Sequence, residues 1–331
     1  MLRIDIFSHF FPHALREAYL GIPLGAQGRR LDANAIRTFI QAQRTTDIDV
    51  LWDIDQRIKV LDRYGIDLQV LTLAFPTVMG LEPEAEIRLA RMANDGLADI
   101  IRKYPNRFIG VATLPLSVPS EALKEFDRSV DQLGFKGFQI TSNINGMLLD
   151  APQLFPIYER AARRGLPMWI HPTTPVTLDF IGTKANSELL LGWPIDTTIA
   201  LFKLMIAGVL ERLPTLKVIV HHLGAGTIPY FMERLDAIEP GQDGVPITKP
   251  PSHYWKMMYH DTAAVGANAF MYGYGVWGED HVVFGTDYPY GRNKGEQFVE
   301  SRRQFLDKAL IDESARRKIY EDNARKLLNL S

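Results

Sequence analysis

The sequence predicts an α/β protein built as a (β/α)8 TIM barrel. Three observations carry that expectation. Eight short β-like runs recur along the 331 residues, and helical patterns separate them. Most of the runs are continuously apolar, as strands buried on both faces of a parallel sheet are, and few alternate. No Pro-, Ser- or Gly-rich linker, low-complexity tract or repeat beyond the β/α alternation divides the chain. One domain over residues 1–331 is therefore expected, with a doubly wound sheet as the alternative architecture.

The runs are Arg3–His9, Leu68–Ala74, Phe108–Pro115, Gly137–Thr141, Pro167–Pro172, Lys217–His222, Met257–Thr262 and His281–Asp287. Between them, Glu84–Lys103 places Ile87, Leu89, Ala90, Ala93, Leu97 and Ile100 on roughly one side of a helix. Ser120–Leu133 opens on Pro119-Ser120, an N-cap-like start, and Pro152–Arg164 stops at Gly165, a C′ glycine. Thr197–Leu213 stops at Pro214, and Glu313–Leu330 forms the last helix. Two connections exceed a minimal crossover, after strands one and five: residues 10–67 and 173–216. Such insertions form lids or extra helices over an active face.

Composition narrows the function classes. Lys and Arg number 37 against 39 Asp and Glu, a net charge of −2. That balance gives no general pull toward nucleic acid or anionic lipid, so neither partner is expected. There is no cysteine, which excludes disulfides, thiolate nucleophiles and Cys-based metal sites and fits a reducing cytoplasm. The opening Met1-Leu2-Arg3-Ile4-Asp5 places an acid where a signal peptide would begin its apolar core. The apolar stretch Leu201–Leu210 is too short to span a bilayer. A cytoplasmic protein is expected.

Chemistry concentrates at strand ends. Of eight histidines, His9, His171 and His222 close strands one, five and six, and Asp287 closes strand eight. A (β/α)8 barrel gathers the carboxyl ends of its strands at one mouth. Residues far apart in sequence thus become neighbours, and imidazole with carboxylate suits a divalent metal such as zinc or manganese. His260-Asp261, at the end of strand seven, either lines the mouth, orients a ligand histidine, or forms a plain strand-end pair. His13, His253 and His281 fall outside the pattern. Phe10, Phe11, Phe75, Trp193, Tyr288 and Tyr290 are candidates to shape an aromatic pocket, Phe75 and Tyr290 being more easily read as ordinary packing. Gly273-Tyr274-Gly275-Val276-Trp277-Gly278 matches G-x-G-x-x-G, but a helix-like stretch precedes it and a strand follows. A tight loop is expected there, not a dinucleotide site.

Several segments carry a resemblance when taken in order. They are Ile4-Asp5-Ile6-Phe7-Ser8-His9-Phe10-Phe11-Pro12, Trp169-Ile170-His171-Pro172, Val220-His221-His222-Leu223-Gly224-Ala225-Gly226 and Val283-Phe284-Gly285-Thr286-Asp287-Tyr288-Pro289. Asn143-Ile144-Asn145-Gly146, Gly192-Trp193-Pro194 and Glu321-Asp322-Asn323-Ala324 support them. The chain resembles the amidohydrolase superfamily over nearly its whole length, in the branch of aminocarboxymuconate-semialdehyde decarboxylase. The resemblance implies a metal held by His9, His171 and Asp287, with Asp287 also moving protons. It implies contact between His222 and substrate or metal-bound water, and counting from Lys217 favours His222 over His221. It implies that Arg234 receives the substrate carboxylate, often across a homodimer; the alternative is a helix-surface arginine.

One departure stands out. The family usually opens with His-x-His or Glu-x-His, and here the first ligand position is Phe7, which cannot coordinate a metal. Asp5, two residues deeper, is expected to stay out of the metal shell. Three protein ligands remain, with His222 as a possible fourth, and a metal-free site is the alternative. The expected activity is metal-dependent, non-oxidative decarboxylation of an aromatic or conjugated carboxylic acid, a small-molecule carboxylate. A metal-dependent hydrolase of an amide, lactone or ester would use the same residues, and a catalytically silent barrel is the third reading.

Overall fold

The computed structural model describes residues 1–20, 48–75, 77–79, 81–223, 228–263 and 266–330. Much of the insertion expected after the first strand, and Gly224-Ala225-Gly226, lie outside the described residues.

Among the described residues, nine parallel strands form in chain order: β1 (Ile4–Phe10), β2 (Leu68–Leu73), β3 (Phe108–Gly110), β4 (Ala112–Thr113), β5 (Phe138–Thr141), β6 (Met168–His171), β7 (Val218–Val220), β8 (Tyr259–Asp261) and β9 (Val282–Val283). They pair in the order β1-β2-β3 and β4-β5-β6-β7-β8-β9. The third predicted strand is thus two. Its ladder changes partner at Val111, whose N–H donates to Leu71 O at 3.2 Å, while the N–H of Ala112 donates to Gly137 O at 2.9 Å. β3 and β4 together occupy one position of the barrel.

The chain after β9 returns to β1 and completes the cycle. Ile6 N–H donates to Phe284 O at 2.8 Å, Asp287 N–H to Phe7 O at 3.1 Å and His9 N–H to Tyr288 O at 2.7 Å. The interior is filled by Ile4, Ile6, Phe7, Val70, Val111, Trp169, Ile219 and Val283, all buried, with Leu327 and Leu328 of the final helix packed against them. Trp169 also donates through its indole N–H to Ile6 O at 2.9 Å across the barrel.

Helices alternate with the strands, with corrections at several ends. The second helical pattern runs Pro119–Asp131 without a side-chain cap, because Pro119 at the first turn supplies the start, not Ser120. Pro152–Leu154 is a 3-10 turn leading into Phe155–Arg164, which ends at Gly165 with φ 63° as expected. The expected helix Thr197–Leu213 is two, Trp193–Ile206 and Val209–Arg212, because Gly208 adopts φ 65° between them. The last pattern is Glu313–Arg317 and Asn323–Leu328, joined by a π turn. The G-x-G-x-x-G stretch is not a loop. Its first glycines lie inside the helix Ala267–Trp277, where a side chain at Gly273 would come within 2.5 Å of Leu223, and Gly278 ends that helix.

By length and composition alone, Lys184–Ile206 would reach across a membrane. In the fold its second half buries Ala200, Leu201, Leu204 and Met205, while Leu189, Leu190 and Leu191 before it face outward.

Gly137 shows how tightly the barrel is closed. It has φ 153°, and a Cβ there would stand 2.2 Å from Pro167 O and 2.6 Å from the Trp169 ring. Gly137→Ala is expected to destabilise the fold by about 3 kcal/mol through overpacking, read as a lowered denaturation midpoint. A native midpoint would show that β5 and β6 separate easily.

Candidate active site

Five strand positions converge at the carboxyl mouth. His9 lies near the end of β1, His171 ends β6, His221 and His222 follow β7 directly, and Asp261 ends β8. Asp287 lies beyond β9, beside β1. His9, His171 and His221 place their ligand nitrogens within 4.8 Å of one another, and His221, His222 and Asp287 form a second such group. The four sequence-predicted residues therefore do meet, with His221 common to both groups.

Asp287 is the hub. Its Oδ1 lies 3.1 Å from His9 Nε2 and 3.3 Å from His221 Nε2, and its Oδ2 lies 3.8 Å from His222 Nε2. Burial pushes its carboxyl up, but the imidazoles of His221, His222 and His9 outweigh that and hold it well below the usual carboxylate range. Burial lowers His9, His171 and His222, and neighbouring imidazoles add to the effect, so these rings favour the neutral form. His221 differs. Burial pushes it down, yet the carboxylates of Asp261 and Asp287 prevail and lift it to about 9.

The far sides of three of the rings are committed. Thr72 donates its hydroxyl to Ser8 O at 3.1 Å and so accepts from His9 Nδ1 at 3.0 Å. His171 Nδ1 donates to Pro172 O, and His221 Nδ1 donates to Asp261. These contacts turn the Nε2 atoms of His9 and His221 toward Asp287. His9 Nε2 is buried and lacks hydrogen-bond alignment, although Asp287 stands 3.1 Å away. Converging imidazole nitrogens beside a carboxylate fit a divalent cation.

Phe7 forms the floor. It is fully buried and stacks on His221, ring centroids 3.9 Å apart and planes at 25°. Asp5 stays below, as expected. It accepts from Thr286 N–H at 2.9 Å, Thr286 Oγ1 at 2.6 Å, Gln69 Nε2 at 2.7 Å and Phe7 N–H at 3.4 Å. Burial pushes its carboxyl up to about 6 against those four donors. Trp193 and Tyr290 flank the cluster. Trp193 stacks toward His222 at 6.1 Å and 17°, and Tyr290, packed against a hydrophobic cluster, also lies 5.4 Å from His9. Phe10, Phe11 and Tyr288 are buried within the hydrophobic clusters or between helices and sheet.

The pair at the end of β8 divides. Asp261 anchors His221, while His260 stacks on Trp277 at 3.9 Å and is pushed down to about 3 by burial. Arg234 is exposed on the helix Ile228–Leu235, and no ion pair joins it to Asp287 among the described residues. His13 and His253 are exposed and His281 is half-buried, away from the site.

The family model described as amidohydrolase matches residues 4–330. The chain belongs to the amidohydrolase family. A 2-amino-3-carboxymuconate-6-semialdehyde decarboxylase of Dictyostelium discoideum is 32% identical over 317 residues, 92% of this chain and 87% of the relative. A gamma-resorcylate decarboxylase of Rhodococcus jostii is 30% identical over 301 residues, 83% of this chain and 87% of the relative. The solved structure of 5-carboxyvanillate decarboxylase from Novosphingobium aromaticivorans, complexed with manganese and 4-hydroxy-3-methoxy-5-nitrobenzoic acid, aligns with a TM-score of 0.86. It is 29% identical and covers 99% of this chain and 96% of its own.

In this amidohydrolase, sequence reasoning left out Arg57. Its guanidinium is fully buried and donates to Val50 O at 3.1 Å, to Gln69 Oε1 at 2.7 Å and to the backbone oxygen of His9. It also lies 4.7 Å over the Tyr288 ring. With Gln69, Asp5 and Thr286 it forms a polar chain beneath the site. The available signal was an arginine at a core-facing position of the helix Ile54–Tyr64.

Proposed function

We propose that this amidohydrolase is a metal-dependent, non-oxidative decarboxylase of an aromatic or conjugated carboxylic acid. The observation that carries the reading is Asp287, a buried carboxylate ringed by imidazoles at the mouth of a barrel whose full-length relatives are decarboxylases. When bound, a divalent metal such as manganese or zinc would hold the substrate carboxylate and a neighbouring oxygen. His9, His171 and Asp287 are the residues assigned to hold it.

Losing CO₂ from an unsaturated acid requires a proton at the carbon that carries the carboxylate. The carbon–carbon bond then breaks, its electrons return to the π system, and CO₂ departs. Asp287, a carboxylate in the resting site, is assigned the relay of that proton: it takes one up from solvent water and delivers it to the carbon, so one proton is consumed for each CO₂ released. His222, at 12% side-chain exposure and beside Asp287 Oδ2, is assigned the stabilisation of charge as it develops. Trp193 and Tyr290 offer flat walls to a planar substrate.

The protein is expected to release CO₂ from at least one member of a panel of hydroxybenzoates and muconate-type acids. Removing metal with a chelator should lower that turnover at least ~100-fold, and manganese or zinc should restore it. Acid released from esters, lactones or amides without CO₂ would favour the hydrolase. Absence of both activities, with no metal bound, would leave the silent barrel.

A homodimer belongs to the same proposal. Phe180, Leu190 and Tyr230 are 91%, 75% and 76% exposed, large apolar side chains of the kind a second copy would cover. Arg234 shares its helix with Tyr230, which suits an arginine offered to the partner's substrate carboxylate. Light scattering of the purified protein measures the assembly, and a monomer would remove this part.

A further inference from the structure

We propose that His221 is a metal ligand of this chain and supplies the donor that Phe7 does not. The inference rests on the metal-dependent reading above and specifies which side chains build its metal site.

Position is the first ground. Phe7 leaves strand one with a single donor, His9, and the ring lying against Phe7 is that of His221, 3.9 Å away and nearly parallel. The imidazole thus occupies the space above the apolar floor, where a side chain from Phe7 itself cannot coordinate. His221 groups with His9 and His171, its ligand nitrogen within 4.8 Å of theirs, and it also groups with Asp287. Among the described residues it is the histidine common to both donor groups. His222 does not group with His9 and His171. It stands 3.8 Å from the other oxygen of Asp287 and is partly open to solvent, free to meet substrate.

Orientation is the second. Asp261 takes the Nδ1 hydrogen of His221 and is itself fixed by the N–H groups of Ala263 at 3.0 Å and Leu223 at 3.4 Å. A carboxylate on the outer nitrogen fixes the ring and raises the basicity of the inner one, the usual support for a metal-bound histidine.

Spacing is the third. His9 Nε2 and His221 Nε2 lie 3.1 and 3.3 Å from one oxygen of Asp287. Donors bound at ~2.1 Å to one ion are about 3 Å apart in an octahedral shell and about 3.4 Å apart in a tetrahedral one. The two separations fall in that window. Without metal, the same nitrogen shares a hydrogen bond with Asp287 Oδ1 at 3.3 Å. The two states differ in what binds the nitrogen, and that difference is measurable.

X-ray absorption of the native protein loaded with zinc counts imidazoles around the ion, and three are expected: His9, His171 and His221. In chelator competition with zinc and with manganese, His221→Ala should bind metal at least ~100-fold more weakly. His222→Ala should stay within about threefold of native, whatever its turnover. Phe7→His with His221→Ala returns a donor to strand one and should recover at least ~10-fold of the lost affinity. Circular dichroism of the metal-free variants checks the fold. If His221→Ala does not fold, the imidazole count on native protein and on folded His222→Ala decides, three being expected in both and two in His222→Ala overturning the proposal. Metal bound through two imidazoles, or native affinity in folded His221→Ala, would overturn the proposal while leaving the decarboxylase reading intact. Failure to release CO₂ despite a three-imidazole site would sink that reading alone. A protein that binds neither zinc nor manganese would end this proposal and the metal-dependent part of the function together.

Discussion

Asp287→Asn is expected to lower turnover by about 10³-fold or more with an unchanged far-ultraviolet circular dichroism spectrum. The carboxylate meets His9 and His221 through one oxygen and His222 through the other. An amide is nearly the same size but neither gives nor accepts a proton near neutral pH. Its NH₂ group would also face imidazole lone pairs, or its neutral oxygen would replace a charged ligand. The backbone should tolerate the change. Asp287 sits at φ 64°, a left-handed conformation in which Asn is as much at home as Asp. Its N–H would still reach Phe7 O, keeping the chain beside β1. Folded protein with native turnover would remove Asp287 from the mechanism.

Arg57→Ala should cost on the order of 5 kcal/mol of stability, read as a lower denaturant midpoint. Three buried acceptors lose a charged donor at once: Val50 O, Gln69 Oε1 and His9 O. A cavity opens under Tyr288, whose ring the guanidinium covers. The chain continues through Gln69 to Asp5 and from Asp5 to Thr286, one residue before Asp287. Hydrogen exchange should therefore quicken at the ends of β1 and β2 more than at β5 and β6. Arg57→Lys should recover only part of the loss, because one ammonium cannot reproduce a planar fork reaching three acceptors. Full recovery by lysine would mean that charge matters there and geometry does not.

Much of this site is legible from strand ends. Parallel strands buried on both faces read as apolar runs, and a closed barrel forces their carboxyl ends together whatever the loop lengths between them. His9, His171, His222 and Asp287 were therefore recoverable before any coordinates, as was the shortfall at Phe7. Burial explains why Asp5 could be set aside, since a carboxylate deep in a barrel must find donors there, and it finds four.

The choice within His221-His222 was not legible. Counting along a strand presumes strict alternation, which puts Ile219 and His221 on one face and His222 on the other. Alternation stops after Val220, where His222 and Leu223 take φ 59° and 55°, so both imidazoles reach the same carboxylate. Arg57 drew no reading inside the long connection after the first strand, and the strand end alone left open whether Asp261 lines the mouth, orients a ligand histidine or forms a plain pair.

What the amino-acid order determined by itself was the class of fold, the rim where its chemistry gathers and the donor types available there, because hydrophobic patterning and topology are local records of burial. What only the tertiary structure decided was which nitrogen faces which oxygen, and which buried groups hold them in place. Those depend on left-handed turns and cross-strand contacts between residues tens to hundreds of positions apart, and no periodicity in the chain records them.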